Sequence, residues 1–129
     1  MIGILLITHD TLGESLLQCA SHVLNKRPEQ VLQLGVAAGD DPTDLLPLAL
    51  NLLKLVDTGE GVLIITDIFG ASPSNLASKL LKPGKIEGIA GANLPMLLRA
   101  INYRDKGMET LLIRATTGAR DGVLNMLKH

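Results

Sequence analysis

Short, unbroken aliphatic runs alternate along this chain with longer stretches in which apolar positions recur every three or four residues. Ile2–Ile7, Val31–Val36, Gly61–Thr66 and Ile86–Ala90 are strand-sized runs. The stretch from Leu12 to Asn25 places Leu12, Leu16, Ala20, Val23 and Leu24 on one helical face. Helical stretches also run to about Val56, to near Pro83-Gly84, and from Leu94 to about Arg104. Strands buried on both faces and separated by helices predict a parallel α/β sheet. The largely apolar Thr110–Ala115 reads as a last strand, followed by a terminal helix from Ala119 to Lys128. Linkers, internal repeats and low-complexity stretches are absent, which predicts one domain over residues 1–129.

Helix starts are marked by capping chemistry. Thr11 and Glu14 have the spacing of a capping box. Asp41 precedes Pro42, and Asp44 adds negative charge to that first turn, where the helix dipole favours it. Ser72 is predicted as the cap before Pro73, and Asn93 as the cap before Leu94 and Pro95.

Composition narrows the partners. The apolar fraction is 47%, met either by an aliphatic core or by extra buried surface in an oligomer. No apolar run approaches the ~20 residues of a membrane span, and no signal peptide precedes the first strand, so a cytoplasmic location is expected. Twelve basic residues balance thirteen acidic ones, no basic stripe forms, and Phe69 and Tyr103 are the aromatics, so a nucleic-acid partner is not expected. Cys19 is alone, which excludes an internal disulfide and a multi-cysteine metal site.

The candidate chemistry lies at two predicted strand ends. His9 follows the first run directly and Asp67 follows the third. The carboxyl ends of parallel strands are where ligands and reactive groups collect. Imidazole is a capable nucleophile near neutral pH. A carboxylate bonded to one ring nitrogen would fix the tautomer and leave the other free to attack. Asp67 can play that part if the first and third strands are neighbours, as in a flavodoxin-like 2-1-3-4 order. The helix starts after His9 and around Ser72 offer unpaired amides to an anion, and Gly70-Ala71 keeps the turn slim. His22 and His129 read as surface groups and Cys19 as a buried helix residue. Cap duties account for Asp41 and Asp44, so no metal and no cofactor is expected.

Three segments carry a family resemblance: Ile4–His9, the run Thr66-Asp67-Ile68-Phe69-Gly70-Ala71-Ser72-Pro73-Ser74-Asn75, and Ala90-Gly91-Ala92-Asn93-Leu94-Pro95-Met96-Leu97. With Thr117–Val123, the chain resembles the mannose-type EIIA component of the bacterial phosphoenolpyruvate-dependent sugar phosphotransferase system along essentially its whole length. The resemblance implies a phosphocarrier. The small protein HPr would phosphorylate His9 at Nε2, and the group would pass to an EIIB partner on a separate chain. Asp67 would hold Nδ1, while Ser72, Gly70 and Ala71 would contact the phosphoryl oxygens. The membrane would be reached only indirectly, through a permease. The resemblance further implies a homodimer in which an additional antiparallel strand, here Thr110–Ala115, is exchanged. The chain departs from the family pattern at Asp10 and Ala71, where glycine is common, and Asp10 adds negative charge beside the proposed phosphoryl site.

Other readings stay open: a regulatory phosphoacceptor without a cognate permease, a phosphocarrier for a dihydroxyacetone-kinase system, and a flavodoxin-like binding module. The Asn93–Leu97 segment favours the mannose type over the kinase-linked carrier.

Overall fold

The four aliphatic runs form one parallel sheet. The computed structural model describes residues 1–128. Its elements are β1 (Gly3–His9), α1 (Leu12–Leu24), β2 (Val31–Val36), α2 (Pro42–Val56), β3 (Val62–Thr66), α3 (Ser72–Ser78), β4 (Ile86–Ala90), α4 (Leu94–Tyr103) and α5 (Met108–Asp121). The sheet order is β2-β1-β3-β4, the flavodoxin-like order in which β1 and β3 are neighbours. In the centre, Gly3 pairs with Val62 and Ile7 with Thr66.

The pleat divides the aliphatic residues between two layers. Ile4, Leu6, Leu63 and Ile65 face one way, toward Leu17 and Ala20 of α1, Leu97 and Ala100 of α4, and Leu111 of α5. Leu5, Ile7, Val62 and Ile64 face the other way, toward Ala49 and Leu53 of α2 and Leu76 of α3. These eight sheet residues are fully buried, so both central strands are covered on both faces. That double burial explains why their sequences are continuous rather than alternating.

The predicted strand at Thr110–Ala115 is instead part of α5. Its buried residues are Leu111, Ala115 and Gly118, which follow helical rather than strand spacing. They pack against α4, while Ile113 and Arg114 point to solvent. Strand pairing would bring Leu111 and Ile113 to one face, whereas the helix unites Leu111 with Ala115. The expected exchange of this segment as a strand is therefore overturned, and the outer edge of β4 has no strand beside it among the described residues. The expected terminal helix from Ala119 also fails: α5 stops at Asp121, and Val123–Asn125 has no regular structure.

Two caps behave as predicted. Asp41 accepts the Thr43 amide at 2.9 Å, and Asn93 accepts that of Met96 at 2.9 Å. Two others do not. Thr11 occupies the cap position of α1 but makes no capping bond. Thr8, buried at the end of β1, takes the Gly13 amide at 2.8 Å instead. Glu14 turns outward to Arg27, whose guanidinium holds it by two bonds of 3.0 and 3.2 Å. Ala71 caps α3, so Ser72 is its first residue rather than its cap. Cys19 is exposed, because the buried stripe of α1 runs through Gly13, Leu17 and Ala20. His22 is exposed as expected, and His129 lies outside the described residues.

Candidate functional site

The central strands end side by side, and each delivers one polar residue. The last registered pair between them is Ile7 and Thr66. Beyond that pair β1 continues through Thr8 and His9 beside β2 before turning to α1, while β3 turns to α3, leaving His9 and Asp67 at adjoining strand ends. The Asp67 carboxylate oxygen Oδ2 accepts both the His9 backbone N–H at 3.0 Å and the ring nitrogen Nδ1 at 2.8 Å. Its other oxygen, Oδ1, accepts the Ile68 amide at 3.1 Å.

This geometry decides the chemistry of the ring. The Asp67 side chain is 11% exposed and that of His9 is 47% exposed. Partial burial works against ionisation of Asp67. The backbone and ring hydrogen bonds from His9 outweigh it and hold the carboxyl below its ordinary value. An ionised carboxylate only accepts hydrogen bonds, so the bond to it requires the proton on Nδ1. In the neutral ring Nε2 then carries the lone pair, and the same carboxylate oxygen holds both the ring and the backbone of His9.

The turn after Asp67 is built for close approach. Gly70 has φ +89°, a conformation that suits glycine, and its amide donates to the hydroxyl of Ser74 at 3.0 Å. Ser74 is buried and orders this turn from below, a role that sequence reasoning did not find. Because Ser74 occupies the Gly70 amide, the free donors of the turn are its neighbours. The amides of Ala71 and Ser72 donate to no protein group among the described residues. Leu12, Ile68 and Phe69, close to the pair in sequence, are exposed apolar residues; Phe69 is 83% exposed.

Asp10, next to His9, has φ +46°, unusual for a residue other than glycine. Its amide donates to the Val36 carbonyl at 3.0 Å. Its own carbonyl lies where a side chain on Gly35 would be, 2.0 Å from the position of a Cβ there. The β1–α1 turn is thus locked onto the end of β2. The sequence offered His9 of this turn as the reactive candidate and Asp10 as a charge beside it; the bareness of Gly35 within the β2 run was the available signal for the close approach.

Helices on both faces of a 2-1-3-4 parallel sheet, with a histidine–carboxylate pair at the central strand ends, define a flavodoxin-like α/β protein bearing a positioned imidazole. Family comparison is consistent with that class: the family described as "PTS system fructose IIA component" matches residues 3–116. The chain belongs to this fructose/mannose IIA family of the phosphotransferase system.

Over 125 residues it is 33% identical to the PTS system mannose-specific EIIAB component of Escherichia coli K12. That match covers 95% of this chain but 38% of the relative, so the chain spans well under half the relative's length. Among solved structures, it is similar to phosphotransferase system component EIIA from Streptococcus agalactiae, with a TM-score of 0.87, 22% identity and full coverage of both chains. It is also similar to the PTS IIA protein associated with the fucose utilization operon from Streptococcus pneumoniae. There the TM-score is 0.84 and the identity 25%, covering 98% of this chain and 93% of that one. Among the described residues, no helix is long and apolar enough to cross a membrane.

Proposed function

We propose that this chain is a phosphocarrier of the sugar phosphotransferase system, with His9 as the residue that carries the phosphoryl group. The observation that carries this reading is the 2.8 Å bond between Asp67 and His9 Nδ1, which leaves Nε2 of a half-exposed ring as the nucleophilic nitrogen. HPr is the donor and an EIIB domain the acceptor. In the forward step the Nε2 lone pair attacks phosphorus, the P–N bond to the donor's histidine breaks, and the electron pair of that bond stays with the donor ring. Asp67 keeps the Nδ1 proton and stabilises positive charge that develops on the imidazole. The amides of Ala71 and Ser72, with the Ser72 hydroxyl, receive the phosphoryl oxygens. The slim Gly70 turn gives them room. Phosphoryl transfer needs mainly positioning and charge stabilisation, and these residues supply both.

The test is direct. Incubation with phosphoenolpyruvate, enzyme I and HPr should give an acid-labile, base-stable adduct. His9→Ala should abolish it and His22→Ala should leave it intact. Label that persists in His9→Ala overturns the assignment.

The same reading includes a homodimer. Beyond Ile86, whose backbone pairs with Lys82, the outer edge of β4 is a pairing template that a second copy can cover. Val123, Leu124, Met126 and Leu127, exposed beyond α5, are the apolar residues available to do so. Sedimentation equilibrium should report twice 13.7 kDa, and truncation after Gly122 should weaken the association. A monomer at all concentrations refutes the dimer and leaves the His9 chemistry standing.

A further inference from the structure

The carboxylates at the ends of these strands nearly all have a structural duty. Asp67 accepts the His9 and Ile68 donors. Asp40 accepts the Ala37 amide at 2.8 Å, and Asp41 accepts that of Thr43 at 2.9 Å. Asp10 is the exception. Its side chain is exposed and makes no hydrogen bond or ion pair among the described residues. Its backbone also sits at φ +46°, where a glycine would be more comfortable. The backbone of Asp10 serves the fold by locking the β1–α1 turn onto β2, but its charge, idle and next to a reactive group, has no structural duty.

We propose that Asp10 sets the phosphoryl-transfer potential of His9 by charge repulsion. The inference rests on the reading of His9 as the phosphorylated residue. A phosphoryl group on Nε2 is close to a dianion, and Asp10 places a further negative charge on the adjacent residue. The phosphorylated state is disfavoured relative to the free imidazole, so the carrier receives phosphate less completely and releases it more readily. The bonds made and broken are those of the ordinary transfer between histidines. Asp10 takes no part in them and acts only through its field. Between exposed, adjacent side chains such a field is worth about two- to tenfold in an equilibrium constant, and salt screens it.

Two substitutions separate charge from conformation. Asp10→Asn keeps the shape and tolerates the left-handed backbone while removing the charge; Asp10→Gly removes the charge and relaxes the backbone as well. Each variant and the wild-type chain are equilibrated with phospho-HPr carrying labelled phosphate, and the label on each protein is counted. Both variants should hold about two- to tenfold more label relative to HPr than wild type, with the difference shrinking as NaCl rises from about 0.05 to 0.5 M. Equal partition by wild type and Asp10→Asn overturns the proposal, as does a difference that salt leaves unchanged. A wild-type chain that takes no label at all overturns the phosphocarrier reading itself. Thermal melts add a readout that the field does not govern: Asp10→Gly should gain stability over Asp10→Asn by relief of the backbone alone.

Discussion

Asp67→Asn is the substitution that tests the site most sharply, because an amide of the same shape cannot satisfy both sides of the carboxylate. Oδ2 receives two donors from His9, and Oδ1 receives the Ile68 amide. If the asparagine oxygen faces His9, its NH2 meets the Ile68 N–H, donor against donor. If the amide flips, its NH2 meets the His9 N–H, and Nδ1 must become an acceptor, which moves the ring proton to Nε2 and removes the nucleophile. The first arrangement loses a charge-assisted bond, about 1.5–3 kcal/mol. His9 is half exposed, so screening by solvent holds this arrangement to the low end of that range. The second arrangement adds the cost of the wrong tautomer and takes the total toward ~4 kcal/mol. Together they predict transfer from phospho-HPr slowed about ten- to a thousandfold. Rapid-quench measurement of single-turnover transfer reads this rate, and circular dichroism checks that the fold persists. A folded variant with transfer within threefold of wild type, on the order of 0.6 kcal/mol, would refute the role given to Asp67.

Three further outcomes follow from the packing and the charges. Asp67 has its carboxyl held below the ordinary value, so it contributes stability above its unfolded value of about 3.9, and that contribution is lost as pH falls through the folded value. Urea melts should therefore show the gap between wild type and Asp67→Asn widest near neutral pH and narrowing toward pH ~3; a pH-independent gap would contradict the linkage. Gly35→Ala puts a Cβ 2.0 Å from the Asp10 carbonyl, and should cost about 2–4 kcal/mol while also slowing transfer through the displaced His9 turn; a variant as stable as wild type would show that the turn yields freely. Thr8→Val keeps the shape but orphans the Gly13 amide, and denaturant titration should show a loss of about 1–3 kcal/mol, with no loss meaning that α1 starts without this cap.

The local sequence determined more of this molecule than its pair contacts did. Continuous aliphatic runs such as Leu5–Ile7 and Val62–Ile65 could only be satisfied by burial on both faces, and that requirement with helices between them dictated the parallel sheet. Asp41 and Asn93 capped as read, because a cap is a contact across two or three residues and depends on little else. His9 and Asp67 were legible as strand-end residues for the same reason: each follows directly on a run that has to stop. What tertiary structure decided was everything that depended on a partner distant in sequence. The 2.8 Å contact of His9 with Asp67 exists because β1 and β3 are neighbours, and strand order is set by long-range packing. Thr8 displaced Thr11 as the donor's partner because the end of β1 runs beneath the start of α1, and Ser74 reached Gly70 because α3 folds back under its own turn. Thr110–Ala115 shows the limit most clearly. Thr-Leu-Leu-Ile-Arg-Ala satisfies a strand by composition, and the face of α4 offered to Leu111, Ala115 and Gly118 made it a helix. Where an apolar segment has two periods available, the surface it meets selects between them.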